Sequence, residues 1–156
     1  MPTVFRYHFQ QSFSVSAREA YDWCTDFGPQ DHALMGDASA KRKVTRVAES
    51  TLILSETFKT AKGDVEKQKI VELYPDKLSW NSTHLTGPNK YSQFLYEISA
   101  DGEGSSHLDF EGLHLDYEKE NLSKLQVKAL ADKLCKDDSD AWKPLAKAMA
   151  KDLAKT

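Results

Sequence analysis

The side chains of this chain that could do chemistry are few: five histidines, two cysteines and a carboxylate set among apolar residues. His8, His32, His84, His107 and His114 never pair at i, i+4 with a carboxylate between them, and Cys24 and Cys135 lie far apart without metal-ligand spacing. A zinc site needs convergent ligands with supporting hydrogen bonds, so no metal is expected. The chain has no Gly-x-Ser-x-Gly elbow, phosphate-binding loop or dinucleotide fingerprint, and Asp26-Phe27-Gly28 follows no glycine-rich loop. Acid–base chemistry has better candidates. Glu56 shares strand parity with Leu52, Leu54 and Phe58. On an inward face it would be a carboxylate in apolar surroundings, with a raised pKa. His84 shares parity with Leu78 and Trp80, and His114 follows Gly112. Together with Tyr96 these groups could move a proton on a ketone or orient the polar end of a ligand. The bland alternative, solvated or internally satisfied side chains, fits the same pattern.

The elements that must position these groups are legible in the spacing. From Thr3 to Val15 the apolar positions Phe5, Tyr7, Phe9, Phe13 and Val15 keep one parity, which predicts a long half-buried strand. Ser16 with Glu19 reads as a capping box opening a helix over 17–26, ended by Gly28-Pro29. Asp31 is expected to cap one more turn, through Met35. Six strand patterns follow, separated by turns such as Lys62-Gly63-Asp64, Pro75-Asp76, Gly87-Pro88-Asn89 and Asp101-Gly102-Glu103-Gly104. Short turns imply an antiparallel meander. In the last strand the apolar parity switches from Leu108 and Phe110 to Leu113, Leu115 and Tyr117, so a bulge is expected at Gly112. Beyond Tyr117 the period becomes helical. Leu122, Leu125, Leu130 and Leu134 suggest one stripe, and Trp142, Leu145, Met149 and Leu153 a clearer one. Pro144 sits badly in a helix interior, so a fresh helix start is expected near Asp138 to Asp140.

Composition narrows the class. The 156 residues suffice for one domain with a real core, and 40% hydrophobic with 29% charged residues is a globular balance. A net charge of −3 argues against nucleic acid as partner. No apolar run approaches the roughly 20 residues of a membrane span. The opening residues lack the apolar stretch of a signal peptide, so a cytoplasmic location with reduced thiols is expected and the sequons at Asn81 and Asn121 carry no weight. Lys41-Arg42-Lys43 and the lysines between 124 and 151 read as solvated faces. A docking face for an anionic membrane or an acidic partner is the sharper reading.

Strand, two short helices, six strands and a long C-terminal helix is an order that resembles the START-like (SRPBCC) superfamily. That group includes birch-pollen-allergen-like proteins, polyketide cyclases, and coenzyme-Q-binding and lipid-transfer relatives. The run Phe13-Ser14-Val15-Ser16-Ala17-Arg18-Glu19-Ala20-Tyr21-Asp22-Trp23 is similar to the group's opening strand and capped helix. Trp80 after the Pro75-Asp76 turn, and Ala141-Trp142 opening the last stripe, are similar too. The segment from Glu118 to Asp138 is longer and more charged than the usual lead into the final helix, and reads as a lid, an interaction surface or an extended helix.

The resemblance implies an α+β helix-grip fold over residues 1–156, a single ligand-binding domain. A curved antiparallel sheet of about seven strands wraps around the C-terminal helix, with two short helices after the first strand. The expected function is binding or transport of an apolar small molecule or lipid between sheet and helix, without a cofactor and with transient membrane contact. A non-enzymatic binder is favoured over the alternatives, a cyclase- or aromatase-type enzyme and a co-chaperone-like interaction module. The cavity candidates are Glu56, Phe58, Trp80, His84, Phe94, Tyr96, Phe110, His114, Trp142 and Met149. The group has no universal catalytic signature, so no catalytic residue is carried over.

Overall fold

A computed structural model of the chain describes residues 1–155. Strand β1 (Thr3–Phe13) leads into helices α1 (Ala17–Cys24) and α2 (Asp31–Leu34). Six strands follow: β2 (Lys41–Ala48), β3 (Thr51–Thr60), β4 (Gly63–Tyr74), β5 (Ser79–His84), β6 (Gln93–Gly102) and β7 (Ser105–Asp116). Helix α3 (Lys124–Leu153) closes the order. The strands form one antiparallel sheet in the order β1-β7-β6-β5-β4-β3-β2, a meander except that β1 lies beside β7. One face of this sheet packs on α1 and α3. The core lies between them: Phe5, Phe9 and Phe13 from β1, Leu52 and Leu54 from β3, Trp80, Phe94, Leu108 and Phe110 from the central strands, and Met149 from α3 are all buried. Each fully buried side chain of this size contributes about 1.5–3 kcal/mol. The opening capping box is present, with the Ser16 hydroxyl accepting from the Glu19 backbone N–H and the Glu19 carboxylate from that of Ser16.

Several local expectations are corrected. Gly112 marks no bulge. Pairing of β7 with both neighbours runs through it in register, Tyr7 opposite on one side and Phe94 on the other. Glycine is required there because the Tyr7 ring lies flat over it; an added Cβ would stand 2.7 Å from Tyr7 Cζ. The parity does not switch either. His114 stays on the inner face beside Phe5, with ring centroids 6.0 Å apart, and Leu113 and Leu115 fall on the outer face.

The C-terminal helix does not restart at Asp138. It runs unbroken through Pro144, which forgoes the hydrogen bond to the Asp140 carbonyl. Packing outweighs this loss. Asp138 is turned inward, where its Oδ2 accepts a 2.5 Å hydrogen bond from the Tyr7 hydroxyl, pinning the middle of α3 to β1. The extra charged segment is thus the first half of one long helix, entered through a second capping box at Ser123 and Gln126. Leu125 does not share a stripe with Leu122 and Leu130: it is 81% exposed, and they are half-buried. The helix lysines face solvent, several in i, i+4 pairs such as Lys128–Asp132 and Lys133–Asp137. Asp31, finally, is not a helix cap; Gln30 holds that position.

Candidate functional site

Between the sheet and the helices lies a cavity of about 150 Å³. Its wall is aromatic. Trp80 on β5 and Tyr96 on β6 are cross-strand partners whose rings stack at 4.6 Å, 4° from parallel. Trp142 on α3 meets Tyr96 at 6.1 Å, and Trp23 and Phe27 close the side formed by α1. Phe27 adopts φ 50, a left-handed backbone uncommon for an aromatic residue, at the exit from α1. The floor is charged, formed by Asp31, Arg42 and Lys69. Larger hollows exist, about 410 and 370 Å³ on the outer face of the sheet and about 590 Å³ beside the start of α3. They are more open, whereas the 150 Å³ cavity is framed by both layers of the fold.

The charged floor is built by register. Arg42 on β2 lies directly opposite Glu56 on β3, and Lys67 on β4 lies opposite Glu56 on the other side. Glu56 is 4% exposed, and both of its carboxylate oxygens are engaged. Its Oε2 accepts from Arg42 Nη2 at 3.1 Å and lies against His32 Nε2 from α2. Its Oε1 takes Lys69 Nζ at 2.8 Å. Arg42 reaches on to Asp31 Oδ2 at 2.7 Å and to the Gly28 carbonyl at 3.4 Å. These contacts fasten α2 and the turn before it to the sheet.

Electrostatics reverses one expectation. Burial by itself raises the pKa of Glu56, but Lys69, Arg42 and His32 together overcome it and hold the carboxyl down at about 2. Glu56 is therefore an ionised structural anion at neutral pH. Asp31 moves the other way: burial raises its carboxyl even against the adjacent Arg42. His84 is pushed down to about 4, first by burial and then by Lys69 and Lys67, so its imidazole is neutral. Burial likewise lowers His114 and raises the Tyr96 hydroxyl, against an opposing influence of Ser82.

Of the residues singled out from sequence, Trp80, Tyr96 and Trp142 line the cavity. Glu56 sits behind its floor, bonded to Lys69. Phe58 lies beyond Glu56, edge-on to His32 at 5.1 Å. Phe94 and Phe110 pack together at 5.8 Å in the core, and Met149 is fully buried on the inner face of α3. His84 lies against Phe94 at 5.2 Å, and His114 is farther along towards Phe5. The structure therefore does not gather Glu56, His84 and His114 around one cavity. Sequence reasoning missed Asp31, Arg42 and Lys69. Arg42 was hidden in a run that reads as solvated, yet its side chain is only 5% exposed. The available signal was the facing of Arg42 and Glu56 across a hairpin with a two-residue turn. Among the described residues no group of three or more His, Cys, Asp or Glu side chains is placed to hold a metal ion.

No family model and no curated protein sequence matches the chain. Solved structures do. The Zhui aromatase/cyclase from a Streptomyces species superposes with a TM-score of 0.74 at 9% identity, covering 96% of this chain and 94% of that one. A protein from Thermus thermophilus gives 0.73 at 11% identity, with 97% and 99% covered. Norcoclaurine synthase from Thalictrum flavum, in complex with dopamine and hydroxybenzaldehyde, gives 0.69 at 14% identity, with 99% and 88% covered. The chain thus has the START-like helix-grip fold, as the resemblance implied: a curved seven-stranded antiparallel sheet around a long C-terminal helix, with two short helices after the first strand. The preference for a non-enzymatic binder is corrected by the same comparison. An aromatase/cyclase and norcoclaurine synthase share this fold, so the fold gives no preference for a non-enzymatic binder.

Proposed function

We propose that the chain binds a small apolar molecule, about one aromatic ring in size, in the cavity between the sheet and α3. The carrying observation is the cavity itself: about 150 Å³, walled by Trp23, Phe27, Trp80, Tyr96 and Trp142. A cavity of about this volume in another protein admits benzene, and drug-sized pockets start at roughly 300 Å³. That favours a single ring over a lipid chain. Burying a ring of about 150–250 Å² at about 25 cal/mol per Å² gives roughly 4–6 kcal/mol before association costs. Apolar burial alone then supports Kd values no tighter than about tens of micromolar. All three tryptophans of the chain line the cavity, so intrinsic fluorescence reports on occupancy. Titration with toluene, phenol and indole should change that fluorescence saturably, and native mass spectrometry should show any ligand that copurifies. No saturable response to any ring compound, together with no extractable ligand, sinks the proposal.

A second reading, proton transfer on the bound molecule, is favoured by one observation. Asp31, a carboxyl whose pKa burial raises, and Lys69 share the cavity floor. A buried acid with a cation beside it suits general acid–base work on a carbonyl compound. The test is deuterium exchange next to the carbonyl of a bound aryl ketone, followed by NMR in heavy water. An exchange rate equal to that without protein, or unchanged in Asp31→Asn, counts against catalysis.

A further inference from the structure

Resting on the reading of this cavity as a single-ring site, we infer that its ligands carry an anionic or strongly accepting oxygen, a carboxylate or phenolate, received by Lys69. The inference starts from which polar groups at the floor are already used. Arg42 is spent: Nε and Nη2 bond Glu56, and Nη1 bonds Asp31 and the Gly28 carbonyl. Its side chain is 5% exposed. Tyr96 has its ring stacked on Trp80, and its hydroxyl is neutral, its pKa raised by burial. Lys69 is different. An ammonium has three donors, and one of them meets Glu56 Oε1 at 2.8 Å. The side chain is 24% exposed and lines the cavity. Two donors of a fixed cation are therefore available where a ligand would end.

The charges at the floor leave Lys69 as the cation that a ligand can reach. Arg42 is enclosed by Glu56 and Asp31, and Lys67, though on the same face of the sheet, is exposed over the Phe58 ring and does not line the cavity. Glu56 has a structural role as well. By holding Lys69 from behind, it fixes the ammonium before any ligand arrives, so little side-chain freedom is lost on binding. A ring stacked against Trp80 with its oxygen towards Lys69 satisfies the wall and the floor together. The competing reading is a cationic amine on Asp31, which accepts from Arg42 through Oδ2 only. Arg42 Nη1, already 2.7 Å from that carboxylate, repels a second cation there.

The test is a matched series of one ring with different heads: toluene, benzoate, benzamide and benzylamine, titrated by tryptophan fluorescence. Benzoate should bind about 10- to 100-fold more tightly than toluene, the span of a hydrogen bond to a charged group. Benzylamine should bind no better than toluene. Lys69→Met should remove the benzoate advantage, so that in this variant benzoate binds no more tightly than toluene. Glu56 keeps Arg42 and His32 in that variant, and the wild-type series stands without it if the variant fails to fold. Toluene binding with benzoate no tighter overturns the inference and leaves the single-ring site standing. Benzylamine as the tightest ligand also overturns it, in favour of Asp31. No binding by any member overturns the site itself.

Discussion

Replacing Glu56 by glutamine keeps the side chain's shape and removes its charge. It leaves Arg42, at 5% exposure, facing a neutral amide, and takes the anion from Lys69 and His32. Two routes give the cost. Holding the carboxyl at about 2 against an ordinary 4.5 corresponds to about 3 kcal/mol, at about 1.36 kcal/mol per tenfold change. Removing one partner of a buried ion pair costs roughly 3–5 kcal/mol in other proteins. Glu56→Gln is therefore expected to lose about 3 kcal/mol at pH 7. With a urea dependence of about 2 kcal/mol per molar, the unfolding midpoint falls by about 1.5 M.

The same reasoning fixes the pH dependence. The folded-state pKa of Glu56 is depressed, so its stabilisation is complete above about 4.5, where the unfolded chain is also ionised. It is lost as pH falls through about 2. Wild type and variant should thus differ by about 3 kcal/mol at pH 7 and converge between pH 4.5 and 2. Urea denaturation at pH 7, 4 and 3, read by far-ultraviolet circular dichroism, measures both. A difference below about 1 kcal/mol at pH 7, or one that does not shrink with acid, refutes the ion network as the anchor of the floor.

Tyr7→Phe removes the hydroxyl from half-buried Asp138 and should cost about 1–3 kcal/mol in denaturation, with the ring still packed on Gly112. Gly112→Ala should cost about 1–3 kcal/mol through the clash with that ring, and pairing it with Tyr7→Leu should recover part of the loss. Pro144→Ala restores a helix hydrogen bond to Asp140 and should raise the unfolding midpoint, by up to about 3 kcal/mol of stability. Trp142→Ala should cost less than the roughly 3–5 kcal/mol of a fully packed tryptophan, because its ring is half-buried against an existing cavity, while changing ring binding strongly.

The fold was legible because its signals are local and repeated. Alternation in β1 with the Ser16–Glu19 box, the turn dipeptides between strands and the stripe of Leu145, Met149 and Leu153 each depend on neighbours in sequence. The failures arose where a distant partner decided the outcome. Gly112 looked like a bulge because Tyr7, 105 residues away, supplies the reason for a glycine. Asp138 looked like part of a break between helices because its partner is again Tyr7. In both cases one tyrosine on β1 imposed a requirement that no window along the chain contains.

The site was less legible than the fold for a related reason. Its aromatic wall follows from parity, because Trp80 and Tyr96 point inward with Phe94, Ile98, Leu108 and Phe110. Its charged floor contradicts parity. Arg42, Glu56 and Lys69 occupy inward positions on three adjacent strands, and each alone reads as a surface charge or an isolated buried one. Only in register do they satisfy one another. Burial that would make any one of them untenable becomes acceptable, because each carboxylate oxygen of Glu56 meets a cation. An apolar set of the same volume would pack at least as stably. What the charged set adds, besides fastening α2 to the sheet, is a fixed ammonium with one side neutralised by Glu56 and the cavity on the other, the place where the proposed carboxylate would be received.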